Sequence, residues 1–162
     1  MLKYVDTLVS FSEIPDQISL CLNISNCPCK CKGCHSQYLA GDIGEVLNRD
    51  SLKKLIEDNR GITCVCFMGG DNSPREVNTL AETVNFEYPE LKVGWYSGRQ
   101  ELAKEIDLCN FDFIKLGPYK EDKGPLNNPD TNQRFYHVVQ TSTGKFKLID
   151  VTYLFWKNEI KD

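Results

Sequence analysis

Three cysteines in one short loop are the residues of this chain best suited to chemistry. Cys27, Cys31 and Cys34 follow a C-x3-C-x2-C spacing inside the segment NCPCKCKGCHS. Three thiolates so close together can bind three irons of a four-iron cluster and leave the fourth iron without a protein ligand. Because an open iron can bind a small molecule, this spacing predicts an iron–sulfur site that performs chemistry.

A structural zinc site is the alternative for the same loop. Cys29 and His35 lie beside the three cysteines, so Cys27, Cys29, Cys31 and Cys34 could also complete a tetrahedral zinc site. Zinc sites usually combine two separated ligand pairs, whereas these ligands follow one another in a single loop. The crowding favours the iron–sulfur cluster, and Cys29 is then a bystander that points away from it.

Length and charge are typical of a small enzyme. The chain has 162 residues, of which 41% are hydrophobic, and this predicts a single domain over residues 1–162. Nineteen basic and 23 acidic side chains give a net charge of −4 without a basic block, so we expect no nucleic-acid partner. The segment MLKYVDTLVSF is too short and polar for a signal peptide, and no apolar run is long enough to span a bilayer. We therefore expect a cytoplasmic protein without a membrane partner, whose cysteines stay reduced.

Alternating strands and helices are predicted around the cysteine loop. Residues 18–25 have strand character and would deliver the loop from their C-terminal end. Asp50 is the predicted N-cap of a helix over SLKKLIEDNR. The apolar segment TCVCFM that follows suits a parallel strand buried on both faces, with Cys64 and Cys66 as packing residues.

The second half of the chain continues this alternation. Pro74 is expected near the start of a helix over SPREVNTLAETVNF, followed by a strand LKVGWYS, a helix near RQELAKEI and a strand FDFIKLG. Repeated βα units predict a mainly parallel sheet. FYHVVQ and KFKLIDV flank TSTG and predict a C-terminal antiparallel hairpin. Cys109, expected just after a helix, is interpreted as structural, and the long polar segment 117–134 as a functional loop.

The motifs together resemble the radical S-adenosylmethionine (SAM) superfamily, and within it the anaerobic ribonucleoside-triphosphate reductase activating proteins. The cysteine loop is followed by FMGGD at 67–71, GWYSG at 94–98 and DTNQR at 130–134, in the order expected for that family. The resemblance extends from about residue 11 to 134. It implies a small partial (β/α) barrel whose site lies at the C-terminal ends of the strands.

The resemblance also implies the cofactors and their contacts, namely a [4Fe-4S] cluster and SAM. Cys27, Cys31 and Cys34 would be the cluster ligands and the catalytic residues. Gly69 and Gly70 would let backbone carbonyls approach the ligand, so bulk at Gly70 is expected to weaken binding rather than folding. The implied cofactor-binding residues are Gly33, Cys34, His35, Gly69, Gly70, Asp71, Ser97 and Gly98.

The implied activity is activation of a partner protein. The enzyme would cleave SAM reductively and abstract a hydrogen atom from a glycine in the large subunit of an anaerobic ribonucleotide reductase, leaving a glycyl radical. A one-electron donor such as flavodoxin or ferredoxin would supply the electron, and residues 132–134 would dock the partner or close over the cofactor. The alternatives are a small radical SAM enzyme that acts on a small molecule, similar to a deazaguanine synthase, and a non-catalytic iron–sulfur electron carrier.

Overall fold

A computed structural model describes residues 1–156 of the chain and arranges them around an eight-stranded sheet with two α-helices. Short 3-10 helices cover Gln37–Ala40, Leu108–Asn110 and Thr152–Phe155. The helices are α1 (Arg49–Glu57) and α2 (Pro74–Glu87). The strands are β1 (Lys3–Ser10), β2 (Ser19–Ile24), β3 (Glu45–Val46), β4 (Cys64–Met68), β5 (Lys92–Tyr96), β6 (Phe113–Leu116), β7 (Arg134–Gln140) and β8 (Phe146–Asp150).

The sheet is mixed rather than mainly parallel. Its strand order is β3-β1-β2-β4-β5-β6-β7-β8. The four central strands β2, β4, β5 and β6 are parallel, as predicted. β1 is antiparallel to both β2 and β3, and β7 is antiparallel to both β6 and β8, so the prediction holds for the centre and is wrong for the flanks. The predicted C-terminal hairpin is confirmed by the β7–β8 pair, and within residues 1–156 the sheet remains open instead of closing into a barrel.

The central strands are buried on both faces. In β4, Val65 and Phe67 pack on the face that carries α1 and α2, whereas Cys64 and Cys66 pack on the opposite face, and all four side chains are 0% exposed. Both cysteines are therefore packing residues, as predicted. Burial raises the pKa of the Cys64 thiol to about 12, so it stays protonated at neutral pH.

Helix α1 begins at a different cap from the predicted one. Asn48, not Asp50, is the N-cap: its Oδ1 accepts a 3.0 Å hydrogen bond from the Ser51 backbone N–H. The Ser51 hydroxyl in turn accepts a 2.9 Å bond from the Asn48 backbone N–H. This reciprocal capping box satisfies two backbone donors at once, which Asp50, already the second residue of the helix, could not do.

The helix expected near RQELAKEI does not form. Ala103 and Ile106 are buried there. The chain makes a turn between these two residues, and its backbone groups form hydrogen bonds with neighbouring elements instead of a helix. The Gly117 N–H donates to the carbonyl of Arg99 at 2.7 Å, which holds that end of the segment extended beside the end of β6. Cys109 consequently lies exposed in a 3-10 turn and not behind a helix.

Candidate functional site

The cysteine loop leaves the C-terminal end of β2 and turns sharply. Asn26, Lys30 and Gly33 have positive φ angles of 59°, 45° and 75°. These left-handed residues curl the chain so that the cysteines between them share one small region. The Cys27 N–H donates to the carbonyl of Leu39 at 2.9 Å, which anchors the beginning of the loop to the 3-10 helix that follows it.

The three spaced cysteines are half-buried free thiols. The Cys34 N–H donates to the carbonyl of Cys31 at 3.2 Å, and the Ser36 N–H lies 3.4 Å from Cys34 Sγ as a donor. Backbone N–H groups directed at ligand sulfur stabilise the thiolate that an iron cluster requires. Hydrogen bonding with the neighbouring Cys29 thiol is the main cause that lowers the pKa of Cys27 to about 6.

These cysteines fit a four-iron cluster in their chemistry. In residues 1–156, no group of three or more His, Cys, Asp or Glu side chains is arranged around a single metal position. A four-iron cluster takes one thiolate per iron, so its ligands need not converge on one point. All four cysteines of the loop are free and half-buried after a central strand, and the C-x3-C-x2-C spacing selects Cys27, Cys31 and Cys34 as the residues that would hold it.

Asp71, Ser97 and Gly98, which the sequence placed in one site, are in direct contact. Asp71 Oδ1 accepts a 2.6 Å hydrogen bond from the Ser97 hydroxyl, and Oδ2 accepts a 2.8 Å bond from the Gly98 N–H. Arg99 Nη2 donates to the Asp71 carbonyl at 2.7 Å. The carboxylate therefore joins the end of β4 to the turn after β5. Cys29 Sγ also faces it, 3.7 Å from Oδ2.

Gly69 and Gly70 have positive φ angles of 103° and 88°, but their surroundings differ from the expectation. The Gly69 carbonyl accepts a 2.8 Å hydrogen bond from the Trp95 indole, and the Gly70 carbonyl accepts one from the Ser73 N–H at 3.0 Å. A Cβ on Gly70 would lie 2.5 Å from Val77 Cγ2, inside the core. The expectation that bulk at Gly70 spares folding is therefore wrong, and its effect on ligand binding stays a prediction.

A cavity of about 800 Å³ lies beside the cysteine loop, on the face of the sheet opposite the helices. Its volume is within the usual range for small-molecule sites, roughly 300–1,000 Å³. The parallel strands contribute the residues at their carboxyl ends, and the cysteine loop contributes Cys34 and His35. The lining residues are Phe11, Ser12, Glu13, Pro15, Asp16, Cys34, His35, Ser36, Met68, Tyr96, Lys115, Tyr119, Pro125, Leu126, Asn127, Gln133, Leu154 and Phe155.

Lys115 places a buried positive charge in this cavity. Its side chain on β6 is 8% exposed, and Nζ donates to the carbonyls of Ser97 at 3.1 Å and Gly117 at 2.8 Å. An ammonium has three N–H groups, so one remains for a ligand. No carboxylate of residues 1–156 lies within ion-pair distance of Nζ. Burial lowers the pKa of Lys115, and the negative charge of Asp71 opposes this shift.

Lys115 is not among the predicted site residues, although the sequence contains a signal for it. A lysine near the carboxyl end of the otherwise apolar parallel strand FIKL is costly to bury without polar partners. Its neighbour Ile114 is 0% exposed within the helix-side core, so strand alternation directs Lys115 to the opposite, cavity side.

The loop after β6 supplies the outer wall of the cavity. Tyr119 lies against His35, with ring centroids 5.9 Å apart and planes tilted by 52°. The side chain of Glu121 occupies the space beside Gly33, where any Cβ would collide with it. The positive φ is what favours glycine at this position, because the exposed Glu121 side chain could move aside. The loop is folded by its own hydrogen bonds, such as that from the Thr131 hydroxyl to the Gly124 carbonyl at 3.0 Å.

A segment before β2 covers the floor of the cavity. Ile14 is 0% exposed, and a Cβ on Gly94 of β5 would lie only 2.6 Å from its Cδ1, so the glycine makes room for it. The Tyr96 hydroxyl donates to the Glu13 carbonyl, and partial burial raises the pKa of the Glu13 carboxyl. No local pattern in the sequence predicts that residues 11–17 cross this face.

The predicted site residues thus fall into two groups. Cys34 and His35 line the cavity, whereas Cys27 and Cys31 lie in the same loop outside its lining. The glycines at 69 and 70, together with the Asp71 contacts, form the adjoining rim at the ends of β4 and β5 and are outside the lining as well.

A comparison with protein-family models matches residues 18–134 to the family described as a 4Fe-4S single cluster domain. The chain belongs to this family. A search of the curated proteins found no match, and a search of the solved structures found none either. Membership of the 4Fe-4S single cluster domain family makes the chain an iron–sulfur protein. The matched range contains every predicted site residue, and no helix within residues 1–156 is long and apolar enough to cross a membrane.

Proposed function

We propose that the chain is a radical SAM activating enzyme. It cleaves SAM reductively and abstracts a hydrogen atom from a glycine in the large subunit of an anaerobic (class III) ribonucleotide reductase. Cys27, Cys31 and Cys34 hold the [4Fe-4S] cluster, which when bound supplies the electron for cleavage, and a donor such as flavodoxin or ferredoxin reduces it.

The observation that carries this proposal is the cavity at the cysteine loop. A pure electron carrier needs a cluster near the surface but no adjoining chamber for a small molecule. Here Cys34 lines a cavity of about 800 Å³ in which the Lys115 ammonium has an unused N–H. SAM carries a carboxylate, and a charge-assisted hydrogen bond is the contact that a buried ammonium offers.

Aromatic side chains of the cavity suit the other end of SAM. His35 and Tyr119 present rings beside Cys34, and an adenine base packs well against such surfaces. The family motif assigns His35 to the cofactor, while Tyr119 is an addition from the loop after β6.

A protein substrate agrees with the open form of the sheet. The proposal interprets β2, β4, β5 and β6 as the core of a shortened (β/α) barrel, with the site at their carboxyl ends. An incomplete barrel leaves one side of the cavity accessible to a segment of a partner. The loop 117–133, which includes Tyr119 and Gln133, lines that side.

Anaerobic reconstitution tests the proposal. The protein is loaded with iron and sulfide, reduced, and incubated with SAM and the large subunit of an anaerobic ribonucleotide reductase from the same genome. We expect 5′-deoxyadenosine to form and a glycine-centred doublet to appear by electron paramagnetic resonance. Deuterium placed on the target glycine should enter 5′-deoxyadenosine. Cys34→Ala should abolish both products, and Cys109→Ala, at an exposed cysteine outside the site, should not.

The outcomes separate the possible functions. SAM cleavage without a protein radical or label transfer would reject the reductase as partner and favour a small-molecule substrate. A cluster that exchanges electrons but never cleaves SAM would identify an electron carrier, and a bound zinc ion in place of iron would contradict the assignment altogether.

A further inference from the structure

The carboxylate of Asp71 is fully engaged by protein groups. Its side chain is 1% exposed, and its oxygens accept hydrogen bonds from the Ser97 hydroxyl and the Gly98 N–H at 2.6 and 2.8 Å. Arg99 Nε lies 3.6 Å from Oδ1 and neutralises the charge. A carboxylate held in this way is a fixed acceptor at the ends of β4 and β5 and has little left to offer a ligand.

Cys29 is the cysteine-loop side chain that reaches this acceptor. Its Sγ lies 3.7 Å from Asp71 Oδ2. It also fills the space over Gly98, since a Cβ at Gly98 would lie 2.7 Å from Cys29 Sγ and 3.2 Å from Cys29 Cβ. Both contacts join the cysteine loop to strand ends that are distant in sequence.

We propose that Cys29 is a positioning residue that docks the cluster loop onto Asp71 and Gly98. A thiol is a weak hydrogen-bond donor but packs as a small apolar group, so it suits a tight slot beside a carboxylate. Cys29 lies midway between Cys27 and Cys31, and fixing it fixes both neighbours relative to the sheet. The inference rests on the cluster ligands of the proposed function and not on the SAM reaction.

A double-mutant experiment tests the slot directly. Gly98→Ala places a methyl group where Cys29 Sγ lies, so the loop must move and the iron content after anaerobic reconstitution should fall several-fold. Cys29→Gly in the Gly98→Ala background vacates the slot and should restore the iron content. Gly41→Ala is the matched control because its Cβ would be 3.8 Å from the nearest atom and meet no clash.

A second comparison separates positioning from ligation. Cys29→Ala should retain iron and sulfide near the wild-type level while shifting the electron paramagnetic resonance spectrum of the reduced cluster. Cys29→Ser, which keeps a small donor beside Asp71, should return the wild-type spectrum. Circular dichroism of each variant verifies that the sheet is folded.

Three results would overturn the inference. One is iron loss in Cys29→Ala as complete as in Cys31→Ala, which would make Cys29 a ligand. Another is failure of Cys29→Gly to rescue Gly98→Ala. The third is an unchanged spectrum in Cys29→Ala. Because none of these readouts uses SAM, they are independent of whether the proposed reaction occurs.

Discussion

Replacing Gly70 by alanine should destabilise the fold, because Gly70 faces the core. Its φ of +88° lies in the left-handed region, where an L side chain costs about 1–2 kcal/mol. The new Cβ would also lie 2.5 Å from Val77 Cγ2 and 3.5 Å from Ile24 Cδ1. Overpacking of this kind costs about 1–3 kcal/mol, so we expect a total loss of about 2–5 kcal/mol.

Urea unfolding of the cluster-loaded protein under anaerobic conditions measures this loss. Trp95 is 0% exposed and its indole donates to the Gly69 carbonyl, so its fluorescence reports on this region. With a denaturant dependence of about 2 kcal/mol per M, the unfolding midpoint should fall by about 1–2.5 M.

Two further variants separate the cost of the left-handed backbone from the cost of the steric overlap. Gly61 has a similar φ of +91° with nothing within 4 Å of its Cβ position, so Gly61→Ala should show only the backbone cost of about 1–2 kcal/mol. Val77→Ala removes the clashing methyl group and should be less damaging in the Gly70→Ala background than alone, with a coupling of about 1–3 kcal/mol. Equal losses for Gly70→Ala and Gly61→Ala, or additive effects with Val77→Ala, would refute the steric argument.

Three other predictions concern a ligand contact, a helix cap and thiol exposure. Lys115→Met should weaken SAM binding about 10- to 100-fold, which corresponds to the loss of a hydrogen bond to a charged group. Binding of 5′-methylthioadenosine, which lacks the carboxylate, should be unchanged when both affinities are measured by calorimetry. Asn48→Ala should lower the unfolding free energy by about 1 kcal/mol in urea, and Asn48→Asp should not. Iodoacetamide should modify exposed Cys109 in the native protein, while Cys64, with its pKa raised by burial to about 12, stays unmodified even at pH 9, as mass spectrometry would show.

The central sheet could be predicted because its signals are local. The apolar run of β4 and the alternation of residues 18–25 determine buried strands without reference to distant residues. The flanking strand β1 was not predicted, since KYVDTLVS mixes charged and apolar residues and is completed only by pairing with β2. The helix expected near RQELAKEI does not form because backbone hydrogen bonds to other elements, such as that from the Gly117 N–H to the Arg99 carbonyl, outweigh helix propensity.

The candidate site shows the same division between local and tertiary information. The cysteine spacing lies within one loop, so the sequence alone could predict an iron–sulfur site, and the family match supports that type of site. The cavity depends on residues 11–17 and on the loop 117–133 lying against the same sheet face. No local pattern encodes that arrangement.

Glycines in the motifs have an explanation in packing that is independent of any ligand contact. The resemblance assigned Gly33, Gly70 and Gly98 to the cofactor. In the structure each lacks a side chain where another protein group already lies: Glu121 beside the first and Cys29 over the last, with the core filling the space at Gly70. Packing within the protein, together with the positive φ at Gly33, therefore accounts for the absence of a Cβ at these three positions, whatever their backbones contact.

Ligand specificity is better sought in side chains that project into the cavity. Lys115 offers a charge with a free N–H, while His35 and Tyr119 offer ring surfaces in the same cavity. These groups can distinguish ligands because they differ in charge and shape, whereas a buried glycine only permits the chain to pass. Substitutions at Lys115 and Tyr119 should therefore alter which ligand binds, whereas substitutions at Gly70 should first alter whether the chain folds.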